Sequence, residues 1–384
     1  MTEPTRIYQK FNSFVEMSHA ETEDAQALLR IDSLYSKLGE LNFDESKKDV
    51  IEKACTALLK PQETSDNPRF KLESYITQEI LHQNEEDLPR YLYYRYRYET
   101  NFQNFIIDEF PPSVQVEVSS ICNYRCVFCY QTDSALTSPK NEHMGLMSVD
   151  LFKQVIDELE GNCDQVTIAS RGEPLINRNI SEMLAYTEGK FVAFKINTNA
   201  WFLDEKKSHA ILESGVNNLV FSVDAATEPL YSQLRVNGNL ERVVKNIRLF
   251  QDIRKKHYPN SKILTRASGV KVSTEQSFEE MEGFWGDLVD QVAFVDYNPW
   301  ENTYERPIND ISQSCSDLWR RTFVWFNGFV NPCDVDYRSF LTTGNIKNAS
   351  LAEIWSGEKY SQLRDAHLNN RRSEQSPCNR CTLV

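Results

Sequence analysis

The stretch SVQVEVSSICNYRCVFC occupies residues 113–129 and joins an alternating apolar run to three cysteines. The alternation over 113–118 predicts a β-strand, because successive side chains of a strand point to opposite faces. Cys122, Cys126 and Cys129 follow at gaps of three and two residues. Three thiolates at this spacing can bind one cuboidal iron–sulfur cluster and leave its fourth iron without a protein ligand. Such an open iron would be a place for chemistry.

Zinc binding and ordinary buried thiols are the two alternative interpretations of these cysteines. A structural zinc site needs a fourth Cys or His in a closed set. The next histidine downstream is His143, which lies beyond a polar stretch rich in Ser, Thr, Pro, Lys and Asn. A zinc site is therefore a weaker interpretation of these cysteines than an iron–sulfur cluster.

The spacing Cys-x3-Cys-x-Phe-Cys, with Phe128 as its aromatic residue, resembles the signature of the radical S-adenosylmethionine (radical SAM) enzymes. The resemblance implies a 4Fe-4S cluster whose open iron chelates the amino and carboxylate groups of the methionine moiety of SAM. It also implies that Phe128 lies near the adenine of SAM.

Further segments resemble later elements of this family in the expected order. The run SRGEPL (170–175) is similar to its Gly-Gly-Glu-Pro loop, in which a carboxylate accepts from the SAM amino group; here Arg171 replaces the first glycine. Taken singly, the polar residues of these segments would be helix caps or solvated strand ends. Together, the resemblance implies SAM contacts from eight further residues. They are Gly172, Glu173, Pro174, Thr198, Asn199, Ser222, Asp224 and Arg235.

Apolar β-like runs alternate with amphipathic helical runs over 112–300, which predicts a parallel α/β sheet. Strands are expected near 113–119, 165–170, 191–197, 218–224, 262–272 and 291–297. Six β/α units suit the partial (β/α)6 TIM-like barrel that the resemblance implies. The motifs all follow strands, as active residues of barrels do. We expect a helical N-terminal extension over 1–110, the barrel over 111–305 and a small C-terminal domain over 306–384.

A second group of cysteines lies in the last 70 residues. Cys315 and Cys333 flank the segment FVWFNGFVNPC (323–333), where Asn327-Gly328 predicts a type I′ hairpin turn. Together with Cys378 and Cys381 they offer four thiolates, which composition alone assigns equally to zinc or to an iron–sulfur cluster. The spacing Cys-x12-Gly-x4-Cys resembles the opening of the SPASM domain. The single Cys-x2-Cys at the end resembles its shortened Twitch form, which implies one auxiliary 4Fe-4S cluster.

Composition excludes several classes of function. The formal net charge of −14 argues against a nucleic-acid partner. No apolar run is long enough to cross a bilayer, and the N-terminus MTEPTRIYQK lacks the layout of a secretory signal, so a cytoplasmic protein is expected. Nine cysteines in such a compartment indicate metal binding rather than disulfides. Cys55 and Cys163 fall outside both groups, and packing is the simpler role for each.

The expected reaction is a radical oxidation of a small-molecule alcohol, most simply of a sugar or aminocyclitol, with the auxiliary cluster as electron acceptor. Asp334 and Asp336 are candidate proton acceptors by position, or else solvated loop carboxylates. A one-electron donor such as flavodoxin or ferredoxin is expected as a partner.

Three other functions remain open. One is an epimerase, which would need a thiol such as Cys163 in the pocket. Another is a maturase of a ribosomal peptide, although the helical N-terminus does not resemble the usual winged-helix leader-binding domain. The last is a non-catalytic metal-binding scaffold. The sequence assigns no function to residues 1–110.

Overall fold

The computed structural model describes residues 21–62, 70–297 and 301–382. The prediction made for MTEPTRIYQK lies outside these residues. Strands and helices are numbered in chain order. The strands are β1 (Ser113–Val116), β2 (Arg125–Cys126), β3 (Gln165–Ile168), β4 (Ala193–Thr198), β5 (Asn218–Ser222), β6 (Arg235–Val236), β7 (Leu264–Lys271), β8 (Gln291–Asp296), β9 (Arg321–Val324), β10 (Phe329–Asn331) and β11 (Gly344–Asn345).

Helices precede the barrel, alternate with its strands and close the C-terminal domain. They are α1 (Glu21–Ser36), α2 (Glu45–Leu59), α3 (Ser74–His82), α4 (Leu88–Thr100), α5 (Ser134–Thr137), α6 (Val149–Leu159), α7 (Ile180–Ala185), α8 (Glu205–Glu213), α9 (Leu230–Leu234), α10 (Leu240–His257), α11 (Phe278–Gly286), α12 (Asp317–Arg320), α13 (Leu351–Ser356) and α14 (Glu358–Leu368). Within the described residues, every helix is too short or too polar to span a lipid bilayer.

A nine-stranded sheet forms the centre of the molecule, in the order β11-β10-β9-β1-β3-β4-β5-β7-β8. Neighbouring strands from β1 to β8 in this order run parallel. All six predicted barrel strands are present, and the α/β prediction of a partial (β/α)6 barrel is confirmed. Because the strands are parallel, the loops after them gather at one edge of the sheet, which we call the upper rim.

Amphipathic helices cover the outer face of this sheet, and α6 is representative. The hydroxyl of Ser148 caps its first turn by accepting from the amide of Leu151. Apolar residues at helical spacing are buried against the sheet. They are Leu151, Phe152, Val155, Ile156 and Leu159.

The N-terminal helices α1–α4 form a second apolar core that abuts the lower edge of the barrel. Cys55 is fully buried in this core, to which α4 contributes Tyr91, Leu92 and Tyr94. The side-chain amide of Gln83 donates to the carbonyl oxygen of Val192 at 2.9 Å. Arg90 Nε donates to Asp164 at 2.9 Å. These partners precede β3 and β4, so the extension lies at the edge opposite the upper rim.

The C-terminal domain continues the sheet on the other side of β1. Strand β9 pairs with β1 in parallel, and β10 returns antiparallel to β9. The predicted hairpin is therefore present, but its type I′ turn is wrong. Four residues connect the strands, with the amide of Trp325 donating to the oxygen of Phe329 at 2.8 Å. In this loop only Gly328 has a positive φ, of 91°, because the longer connection needs one left-handed residue rather than two.

Candidate functional site

The three cysteines of the first group lie together on the upper rim, in the loop that follows β1. Cys126 belongs to β2, which pairs with β6 so that Cys126 faces Arg235. The amide of Tyr124 donates to Cys122 Sγ at 3.4 Å, and the amide of Gln131 donates to Cys129 Sγ at 3.5 Å. All three thiols are free of disulfides.

Their electrostatic setting favours a bound metal group. Burial raises the pKa of all three thiols, that of Cys122 to about 12, and their mutual proximity adds to the rise. Arg235 is the nearest cation, with Nη1 at 3.9 Å from Cys126 Sγ. Without further positive charge these thiols stay protonated, whereas an iron cluster would hold them as thiolates. Three buried thiols in one loop therefore fit an iron–sulfur cluster.

Glu173 is at the centre of the adjoining loop and is only 2% exposed. Its Oε1 accepts from the Thr198 hydroxyl at 2.7 Å and from the Leu175 amide at 3.0 Å. Its Oε2 accepts from the Asn199 amide at 2.7 Å. Burial raises its pKa, although these donors oppose the rise. A carboxylate has about four acceptor positions, so one remains on Oε2 for a further donor.

Gly172 brings the Glu173 loop against the cysteine loop. A Cβ on Gly172 would lie 2.5 Å from the carbonyl oxygens of Ser119 and Ile121. Only a glycine therefore fits at this position between the two loops. Pro174 begins the short 3-10 turn that follows. Asn199, the residue after β4, also contacts the cysteine loop, because its side-chain amide donates to Asn123 Oδ1 at 3.0 Å.

Asp224 and Arg235 form a buried ion pair beside the first cysteines. Arg235 Nη2 lies 2.5 Å from Asp224 Oδ2, and the amide of Val270 donates to Asp224 Oδ1 at 2.7 Å. The Asp224 carboxylate therefore binds Arg235 and the backbone of β7, and does not point into a cavity. The Arg235 guanidinium lies 5.9 Å from the centre of the Phe128 ring. Ser222 ends β5 on the same rim and is half-buried.

The four C-terminal cysteines also come together, although they are distant in sequence. One cavity is lined by Cys315, Cys333, Cys378 and Cys381. Burial raises the pKa of the Cys315 thiol to about 11 and the pKa values of Cys333 and Cys378 further. Four buried thiols in one cavity fit a fully ligated metal group.

Two buried basic residues support this cavity, and no motif of the sequence points to either. The amide of Cys315 donates to His367 Nδ1 at 3.1 Å; burial lowers the pKa of His367 to about 3, so its imidazole stays neutral and able to accept. Arg372 Nη2 donates to the carbonyl oxygen of Cys381 at 2.9 Å, and its Nε to that of Cys378 at 3.1 Å. Arg372 therefore fixes the last Cys-x2-Cys turn.

The two candidate proton acceptors differ in their surroundings. Asp336 is fully buried, and its oxygens accept from the Tyr304 hydroxyl, the amides of Phe340 and Leu341, and the Asn331 side chain at 2.6–3.2 Å. These donors use its acceptor positions, and burial raises its pKa to about 6. Asp334 is half-buried, with its carboxylate within 4.8 Å of the Cys333 thiol. The geometry favours Asp334.

A buried ion pair between Glu117 and Arg171 was missed by sequence reasoning. Arg171 Nη2 and Nε approach the two carboxylate oxygens of Glu117 at 2.6 and 2.7 Å, and both side chains are at most 1% exposed. Two signals pointed to it: a lone Glu in an apolar strand pattern and an Arg in place of a glycine. Only the fold brings the two together. Cys163, by contrast, is buried ahead of β3, where its thiol contacts the carbonyl oxygen of Gln165 at 3.1 Å.

A partial parallel barrel with three cysteines after its first strand, followed by a four-cysteine domain, defines a class of protein that the comparisons identify. Residues 116–284 match the radical SAM superfamily, and residues 315–382 match SPASM, an iron-sulfur cluster-binding domain. The chain belongs to the radical SAM superfamily and carries a C-terminal SPASM domain. It is a radical SAM enzyme whose cofactors are 4Fe-4S clusters and SAM.

Among individual proteins, the chain is similar to the S-adenosyl-L-methionine-dependent 2-deoxy-scyllo-inosamine dehydrogenase of Niallia circulans. The two are 21% identical over 286 residues, which are 72% of this chain and 95% of the relative. The fold is similar to that of BtrN in complex with AdoMet and 2-DOIA, with a TM-score of 0.50, 20% identity, and 73% and 95% of the two chains covered. It is also similar to Streptococcus suis SuiB bound to the precursor peptide SuiA, with a TM-score of 0.54, 17% identity, and 90% and 84% covered.

Proposed function

We propose that this protein oxidises an alcohol carbon of a small sugar-like molecule, such as an aminocyclitol, to a ketone at the expense of SAM. The observation that carries the proposal is the set of four thiols that line the C-terminal cavity. A cluster bound by four thiolates has no vacant position for substrate and is left with electron transfer or a structural role. Net electron acceptance is what a dehydrogenation requires.

The residues divide the work between the two cysteine groups. We assign the SAM-binding 4Fe-4S cluster to Cys122, Cys126 and Cys129, and the auxiliary one to Cys315, Cys333, Cys378 and Cys381. When bound, these groups supply a 5′-deoxyadenosyl radical that removes a hydrogen atom from the substrate carbon, and an acceptor for one electron.

The chain's own residues orient SAM and take up the proton. We propose that Glu173 Oε2 accepts from the SAM amino group and that the guanidinium of Arg235 faces its carboxylate. Phe128, Gly172, Pro174, Thr198, Asn199, Ser222 and Asp224 shape the rest of that site. Asp334, beside the auxiliary ligands, receives the hydroxyl proton, so that one hydrogen atom, one proton and one electron leave the alcohol together.

The name of the Niallia circulans relative supports this reaction class, because the match spans 95% of that dehydrogenase. An epimerase is less well supported. It would return a hydrogen atom from a thiol, and the two cysteines outside the cluster groups, Cys55 and Cys163, are both buried away from the upper rim. Cluster thiols that must stay reduced are consistent with the cytoplasm.

Maturation of a peptide is the second candidate, since the fold is similar to that of SuiB with its precursor peptide. The described part of the N-terminal extension, residues 21–62 and 70–100, is helical and packs at the lower edge of the barrel. That position is opposite the upper rim, which favours a small molecule over a long peptide as substrate.

The test is anaerobic reconstitution followed by SAM turnover with aminocyclitols, sugars, simple alcohols and peptides in deuterated water. The proposal predicts 5′-deoxyadenosine together with a carbonyl product from a sugar-like alcohol. Deuterium at carbon without a carbonyl would replace dehydrogenation by epimerisation, and a modified peptide would replace it by maturation. If pure protein, incubated with SAM and a strong reductant, forms no 5′-deoxyadenosine, the whole class of radical SAM reaction is overturned.

A further inference from the structure

The segments that follow Cys129 and Cys333 are in direct contact with each other. Tyr130, next to Cys129, stacks on Tyr337, with ring centres 5.1 Å apart and planes 29° apart. Tyr337 follows Cys333 by four residues. The Tyr130 hydroxyl also donates to the carbonyl oxygen of Ser170 at 2.9 Å. One aromatic pair therefore joins the first cysteine loop, the Glu173 loop and the C-terminal domain.

An ion pair lies beside this aromatic contact. Arg338 Nη2 lies 2.6 Å and its Nε 2.7 Å from Asp133 Oδ2, and the two side chains are 18% and 5% exposed. Burial alone would raise the pKa of Asp133, but the contact with Arg338 and the amide of Ala135 lower it overall. Asp133 thus stays ionised, and the pair keeps both charges at neutral pH.

Arg171 provides a third connection from the Glu173 loop. Its Nη1 donates to the carbonyl oxygen of Tyr337 at 3.0 Å, and its guanidinium lies 4.3 Å from the centre of the Trp325 ring. Glu117, its buried partner, also accepts from the amide of Phe326 at 3.3 Å. Arg171, which stands where the family has a glycine, thus contacts both the barrel and the C-terminal domain.

We propose that Tyr130, Asp133, Arg171, Tyr337 and Arg338 form an interloop clasp that sets the separation and orientation of the two cluster sites. The inference rests on the proposed function in one respect: hydrogen removal and electron transfer must act on the same bound molecule. A misplacement of about 1 Å can lower a reaction rate by about a hundredfold. The clasp residues are positioning residues, and the oxidised yield depends on them.

The experiment compares R338Q and Y130L with the wild-type chain and with the control R90Q. Arg90 forms an ion pair with Asp164 of comparable exposure at the lower edge of the barrel, away from both cysteine groups. Two properties are measured in anaerobically reconstituted protein: the magnetic interaction between the two reduced clusters by electron paramagnetic resonance, and the carbonyl product formed per 5′-deoxyadenosine.

We expect R338Q and Y130L to retain about eight irons, to change the magnetic interaction and to lower the product ratio by about tenfold or more. R338K keeps the charge and should recover part of the magnetic interaction and part of the product ratio, while R90Q should match the wild type. If R338Q loses iron, the comparison of R338K and Y130L with the wild type tests the inference instead. An unchanged magnetic interaction in all clasp variants would overturn the inference.

The two proposals fail separately. If the wild-type chain makes no carbonyl from any alcohol, the proposed function fails, and the magnetic measurement still decides whether the clasp sets the geometry of the clusters.

Discussion

Glu173 illustrates how one buried side chain can serve both the fold and the ligand. Its carboxylate accepts hydrogen bonds from the Thr198 hydroxyl and the Asn199 amide at the end of β4, and from the Leu175 amide of its own loop, so it joins two segments of the upper rim. The same burial raises its pKa and leaves its charge poorly solvated. A cationic amino group at the remaining position on Oε2 would relieve that cost. The residue is thus suited to hold SAM in one orientation.

The E173Q variant tests this role. Glutamine replaces one carboxylate oxygen by an NH2 group, so the side chain loses its charge and two of its about four acceptor positions, and the NH2 group then faces existing donors. A hydrogen bond to a charged group contributes about 1.5–3 kcal/mol, so we expect SAM to bind about tenfold to a hundredfold more weakly. The measurement is SAM affinity by anaerobic equilibrium dialysis on iron-loaded protein.

A matched control for E173Q is E182Q, in which a 59% exposed carboxylate beside Lys153 loses its charge. It should bind SAM as the wild type does, because exposed ion pairs contribute little. Equal SAM affinity in E173Q and E182Q, at equal iron content, would contradict the assignment of Glu173.

At the scale of elements, the sequence predicted the strands better than their partners. Alternating apolar runs identified all six barrel strands, because periodicity is local. The pairing of β1 with β9 joins Ser113 to Arg321, and no local pattern encodes a contact over that distance. The same limit applies to the site. Motifs located the seven cysteines of the two groups, whereas the partner of Arg171 and the donors to Asp336 emerge only from the fold.

Strand β4 carries a lysine inside the barrel, and this gives a prediction about pH. Lys195 alternates with Phe194 and Ile196, which pack in the core, and it is half-buried. Burial, and to a smaller extent the nearby Arg266, lower its pKa from 10.5 to about 8. Between pH 8 and 10.5 the unfolded chain therefore holds a proton that the folded chain has released. The free energy of unfolding from this residue should rise with pH across that window, by at most about 1.4 kcal/mol per pH unit.

The K195M variant should lack this rise, and its stability at pH 7 should be equal to or above that of the wild type. Anaerobic urea unfolding of both proteins from pH 7 to 10.5 measures the difference. K206M, on the exposed face of α8, should follow the wild type. A difference between wild type and K195M that stays constant with pH would show that Lys195 titrates normally.

For the whole molecule, the sheet order explains how two cysteine groups that are distant in sequence come to lie beside the same strand. The C-terminal domain extends the sheet from β1, the strand that leads directly into Cys122 on the upper rim. The N-terminal helices occupy the opposite edge. Under the proposed function, the interloop clasp joins the loops that would hold the two metal groups.

Because the two ligand sets come from different segments, we expect each metal group to assemble without the other. The wild-type chain should hold about eight irons, and C122A/C126A/C129A about four, since only the auxiliary set remains. C378A/C381A should likewise lose about four irons but keep the SAM-dependent change in the resonance of the remaining cluster. C55A, which alters a buried thiol of the N-terminal core, should retain all eight. Iron and zinc are counted together by elemental analysis. Zinc at the C-terminal thiols of the wild type would remove the electron acceptor, and with it the reason to expect a ketone rather than an epimer.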